Sequence, residues 1–248
     1  MGGWLLASGN ALAVDASAMD GRAIIDLMTE RHEQAHEFEI QNMTLIDRAG
    51  NKEERELRRY VRKDEDGEFK YLVVFHSPSG VKGVAVLTWQ HKEKADEQWL
   101  YLPAYKKKMK RIAKGGRKNY FMGTDYTFED LVSESADRFI YERQADENID
   151  GIDHFVVDIK PVNKKVARSS AYGLRRVRVR QDIVLATITE YFDKRGKLIK
   201  RQMLSDLENV SGDVWRANLA RMENLAESHP SICGRADPVH VASSGLSL

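Results

Sequence analysis

A chain of 248 residues, 42% hydrophobic and 31% charged, can bury a core under a well-solvated surface, as one large β domain or two small ones. Its 39 Lys and Arg against 38 Asp and Glu leave a net charge of +1, which argues against a dedicated nucleic-acid binder. No apolar run approaches the roughly 18 residues of a membrane-spanning helix, and the single Cys233 excludes an internal disulfide framework and any multi-cysteine metal site.

In chain order, Trp4-Leu5-Leu6-Ala7 to Ala11-Leu12-Ala13 reads as the end of a signal peptide with Ala11 and Ala13 at the cleavage site, although no Lys or Arg precedes Arg22. Residues 1–13 are taken as its remnant and the chain as exported. Asp20 can cap a short helix whose apolar face is Ile24, Ile25 and Met28. From Phe38 the pattern has period two: strands are expected over Phe38 to Leu45, Arg55 to Arg62, Phe69 to His76, Val84 to Gln90 and Gln98 to Tyr105. A second series covers Ile152 to Lys160, Tyr172 to Arg180, Ile183 to Phe192, Leu198 to Leu207 and Val214 to Leu225. Asp47 to Asn51, Asp64 to Gly67 and Asp193 to Gly196 are turns between them. Short spacing without crossover helices predicts a large antiparallel sheet or open barrel.

Three strands, Tyr71 to Phe75, Val84 to Leu87 and Trp99 to Leu102, are apolar on both faces. Such strands need cover on both sides, from a helix, a second layer or a ligand. Four other features carry possible chemistry. His32-Glu33-Gln34-Ala35-His36 fits the zinc motif H-E-x-x-H, with His32 and His36 as ligands and Glu33 as general base, if the helix runs through it. The segment from Tyr105 to Lys118 carries Lys106, Lys107, Lys108, Lys110 and Arg111, which suits a solvated hairpin or contact with anionic head groups or an acidic partner better than nucleic acid. Gly115-Gly116 is a turn, and Asp146 to Asp153 lacks calcium-loop spacing and reads as a solvated connector. No nucleophile elbow, phosphate-cradling loop or dinucleotide fingerprint occurs.

The blocks Gln98-Trp99-Leu100-Tyr101-Leu102-Pro103-Ala104, Met109-Lys110-Arg111-Ile112-Ala113 and Phe121-Met122-Gly123-Thr124-Asp125-Tyr126-Thr127-Phe128-Glu129-Asp130-Leu131 resemble the LolA-like outer-membrane lipoprotein-sorting family. Further matches are Gly173-Leu174-Arg175, Tyr191 to Leu198 and Arg221-Met222-Glu223-Asn224, so the resemblance spans roughly residues 20 to 225. It implies a mainly β fold, an incomplete antiparallel barrel with short helices over its mouth and an apolar cavity between. It also implies a periplasmic carrier without enzymatic activity or cofactor, which holds an acyl chain of a lipid or lipoprotein. An inner-membrane transporter and an outer-membrane acceptor are the implied partners, or a membrane exporter that the chain serves as an accessory. A zinc hydrolase is the alternative that the histidine motif offers. Phe75, Trp89, Trp99, Tyr101, Phe121 and Met122 are the candidate cavity residues, because aromatic and Met side chains give large, adaptable apolar surfaces. The carrier domain is expected over residues 14–225. Residues 226–248 depart from the family pattern and are expected to form a disordered tail, leaving one sheet edge uncovered.

Overall fold

The computed structural model describes residues 18–92, 94, 96–104, 109–131, 136–225, 229–235 and 240–241; residues 1–13 and Lys106 to Lys108 lie outside them. Helix α1 (Gly21–His32) starts where expected, with the Asp20 carboxylate accepting the Ala23 amide at 2.8 Å. It buries Ile24 and Ile25 in a core with Phe139, Phe155, Val157 and Val179.

The first strands are β1 (His36–Ile46), β2 (Lys52–Lys63), β3 (Phe69–Ser77), β4 (Ala85–Gln90), β5 (Glu97–Tyr101) and β6 (Met109–Arg111). The second series is β7 (Phe139–Arg143), β8 (Glu147–Ile149), β9 (Ile152–Pro161), β10 (Leu174–Arg180), β11 (Leu185–Phe192), β12 (Leu198–Ser211) and β13 (Val214–Asn224). Helix α2 (Lys164–Ser169) lies between β9 and β10. The expected turns close on one device: the carboxylates of Asp47, Asp64 and Asp193 each accept a backbone amide four residues on, at 2.9–3.0 Å.

The acidic segment read as a connector is a hairpin. β8 pairs with β9 through Asp150-Gly151, both at positive φ (52° and 83°), the geometry that a tight two-residue hairpin requires.

All pairings are antiparallel, and with β14 (His229–Arg235) the main order is β6-β5-β4-β3-β2-β1-β14-β13-β12-β11-β10-β9-β7. The sheet is curved and open, because β6 and β7 at its two ends are not paired to each other. Two sequential meanders are therefore joined at the centre by β14, which pairs Gln41–Leu45 on one side and Leu219–Asn224 on the other. The expected tail is thus partly structure: a strand within it fills the sheet centre, and β15 (His240–Val241) continues along β1. The edge expected to stand open at β13 is paired.

The concave face carries Met43, Leu57, Phe75, Val84 and Val86, covered by residues 112–131 through Phe121 and Phe128. The convex side of the two-faced strands holds Leu72, Leu87 and Trp99, half-buried and facing each other across strands, with Tyr101 opposite Ala85.

Candidate binding cavity

Alternation on β1 and β2 sends Glu37, Glu39, Gln41 and Met43, and Arg55, Leu57, Arg59 and Val61, to the concave face. Between this face and the segment above it lies a cavity of about 320 Å³. Met43 and Leu57 form its floor with Val73, Ala220 and Cys233, and Phe121, Tyr126 and Leu131 form its roof. A neighbouring cavity of about 490 Å³ runs under the C-terminal turn of α1, past Met28 and His32. The two share Gln41, Arg59, Tyr71 and Gln202, so they form one trough. Apolar side chains line both parts, and Glu33, Glu37, Glu39 and Arg216 gather in the second, the more charged, polar end.

Four ties hold the roof. Arg55 donates to the Met122 carbonyl at 2.6 Å, and Gln98 donates to the Phe128 carbonyl at 2.8 Å. Glu129 accepts the Ser170 hydroxyl and, at 2.7 Å, the Ala171 amide. Asp130 pairs with Lys200, which also donates to the hydroxyl of Tyr172, while that hydroxyl donates back to Asp130 at 2.9 Å. Burial pushes the Tyr172 phenol far above its ordinary range, and the Asp130 charge adds to it, so the hydroxyl keeps its proton. The roof thus bridges both meanders.

A charged belt crosses the polar end. Arg59 Nη1 donates to Glu37 at 3.0 Å and to Glu39 at 3.4 Å. Arg216 donates to Glu37 at 2.6 Å and to the His32 carbonyl at 2.8 Å. Burial works to raise the Glu37 carboxyl, but the two guanidinium groups hold it below the usual range. Cys233 is the converse case, its thiol pushed up to about 12 by burial, which leaves it an unreactive wall of the apolar end.

Of the six residues proposed from sequence, Phe121 stands in the cavity wall. Phe75 is core behind it, 1% exposed with ring centroids 5.4 Å apart, and Met122 packs on the same core. Trp89, Trp99 and Tyr101 are on the convex side, because Trp89 faces Lys70, Trp99 faces Leu87 and Tyr101 faces Ala85 in the ladder. Trp89 is satisfied there by Glu68 at 2.6 Å and by Lys70, 4.1 Å from its ring centroid. A strand apolar on both faces gives no cue to which side is concave, and the ladder alone puts these three on the face away from the cavity.

The zinc alternative fails on geometry. The helix ends at His32, and His36 already begins β1. Both nitrogens of the buried His32 ring are engaged: Nε2 lies 3.1 Å from the Ile183 carbonyl, and Nδ1 accepts the Trp215 amide at 3.2 Å. In the basic segment, Lys110 and Arg111 are exposed on β6, with Arg111 paired to Glu97.

Arg59, Glu37, Glu39, Arg216 and Gln202 escaped the sequence reading. For Glu37, Glu39 and Arg59 the signal was present: charged residues at the alternate positions of β1 and β2 that also carry Met43, Leu57 and Val61.

A family model described only as that of an uncharacterized protein matches residues 67–237. The fold matches an outer membrane lipoprotein-sorting protein domain from Vibrio parahaemolyticus at TM-score 0.83 and 27% identity, covering 92% of this chain and 94% of that one. The chain belongs to the family whose model matches residues 67–237, and its fold is LolA-like. A DUF1329 family protein from Desulfovibrio piger is similar at TM-score 0.82 and 26% identity, over 92% of this chain and 93% of that one. A LolA superfamily protein from Nitrosomonas europaea shares the fold at TM-score 0.71 and 16% identity, over 92% and 96% of the two chains. A search of curated proteins returns no match. No helix among the described residues of this LolA-like chain is long and apolar enough to cross a membrane.

Proposed function

We propose that this LolA-like chain is a periplasmic carrier, not an enzyme, that shelters an acyl chain of a lipid or lipoprotein from water. The supporting observation is the trough itself, whose apolar end is floored by Met43, Leu57 and Val73 and roofed by Phe121 and Leu131. Each methylene moved from water into such a space gains about 0.8 kcal/mol, so shape and dryness are enough to hold cargo. Delivery between a membrane donor and an acceptor then needs only a roof that can part from the sheet. The basic sequence segment with Lys106, Lys107, Lys108, Lys110 and Arg111, of which the last two lie exposed on β6, supplies the complementary contact, to anionic head groups or an acidic partner surface.

Native mass spectrometry of gently extracted protein tests the reading. A lipid adduct is expected on the wild type and is lost from Ala220→Phe, which fills the apolar end, at unchanged fold by circular dichroism. Bare protein mass from the wild type, or an adduct that survives the filled cavity, would overturn it.

A further inference from the structure

The carrier reading requires an apolar compartment; it does not require the one beside it. The polar end is lined by Glu33, Glu37 and Glu39 together with Arg59 and Arg216, so both signs of charge face a single space. Glu37, Glu39, Arg59 and Arg216 pair with one another, yet each keeps hydrogen-bonding capacity that hydrocarbon cannot use and a charged head group can. The charged side chains thus give one part of the trough a place for a polar head that the other part, under Phe121 and Leu131, does not offer.

Arg59 marks the change. It borders both compartments, and its side chain is 29% exposed. Nη1 is engaged by Glu37 and Glu39, while Nε and Nη2 make no hydrogen bond among the described residues and are not sealed from solvent. Two N–H vectors of a planar guanidinium are thus available to an oxyanion. Glu39, held by Gln41 at 2.8 Å and by a long contact to Arg59, offers an acceptor of the opposite sign beside them. The apolar compartment is small. If a methylene takes about the ~30 Å³ of a liquid water, its volume of about 320 Å³ suits one chain of roughly ten carbons.

We infer that the ligand is a single-chain amphiphile with a zwitterionic head, its chain under Phe121 and Leu131, its anionic group on Arg59 and its cationic group on Glu39. This rests on the carrier reading and deepens it.

Titration calorimetry below the micellar range, with three lauroyl probes, separates the two. The probes are lauroyl lysophosphatidylethanolamine (zwitterionic), laurate (anionic) and monolaurin (uncharged). The zwitterion binds about tenfold or more tighter than either of the others, the scale of one charged hydrogen bond made or lost. Glu39→Gln removes the acceptor for the cation and brings the zwitterion down to the affinity of laurate. Arg59→Met removes the donor for the anion, so that laurate binds no tighter than monolaurin. The first keeps a carbonyl for Gln41, so it reports even if the second destabilises the fold. Equal wild-type affinities, or a preference for laurate, would overturn the head-group assignment and leave the carrier reading standing. Tighter binding of two-chain phosphatidylethanolamine would overturn the single chain. If none of the probes binds, both readings fail.

Discussion

Lys200 sits at 2% exposure with its ammonium against Asp130 and the Tyr172 hydroxyl, and over the rings of Tyr172 and Tyr191. Removing one partner of such a pair is far more damaging than removing both, because the survivor keeps a charge with no water and no counter-ion. Lys200→Met should lower unfolding free energy by about 3–5 kcal/mol in urea titration, and Lys200→Met with Asp130→Leu should recover most of the loss. A single-variant cost under about 1 kcal/mol would mean that the pair does not hold the roof. His32 provides a pH test. Burial is the main cause that lowers its pKa from 6.5, opposed by the bond to the Ile183 carbonyl and helped by the Arg216 charge. The unfolded chain therefore binds a proton more readily than the folded one. The contribution of His32 to stability is complete above about pH 6.5 and declines as pH falls from there towards the folded pKa. Melting temperature should drop on acidification through this window in the wild type and drop less in His32→Gln; equal slopes would clear His32 of the effect.

At the scale of elements, the strands were legible where polar and apolar residues alternate, as in β2 and β10, and where aspartates close the turns. What the alternation could not supply was the side of the sheet. β3, β4 and β5 are apolar on both faces, and only the ladder with Lys70 and the cover from residues 112–131 decide which aromatics point inward. β14 was illegible for a different reason. Ser231-Ile232-Cys233-Gly234, with Pro230 ahead of it, has no strand pattern of its own, and its geometry comes from the two ladders on either side. Truncation after Leu225 should leave β1 and β13 with bare edges. Hydrogen exchange should then show lost protection at Gln41 to Leu45, and size-exclusion chromatography should show association; wild-type protection there would remove β14 from the bridge.

The molecule as a whole is two meanders that share one trough. Gln41, Met43 and Arg59 come from one, Gln202 and Ala220 from the other, with the roof tied to both. Cargo touching both walls should behave as a cross-brace, so a ligand at a hundredfold its Kd should add about 2.7 kcal/mol to stability. Differential scanning calorimetry with lauroyl lysophosphatidylethanolamine checks this; an unchanged transition would mean that the lipid does not select the folded state.

The central position of β14 also sets an order of events in the life of the chain. Met43 meets Cys233, 190 positions further along, and closures over such a span come late because the intervening loop must be ordered first. During synthesis each meander can form its own hairpins, but the walls of the trough stay unregistered until residues beyond 229 arrive. A partly made chain offers two loose curved ribbons and no shelter. Under the carrier proposal, loading should therefore await the closing strand, and a fragment that ends before residue 229 is expected to bind no acyl chain in native mass spectrometry.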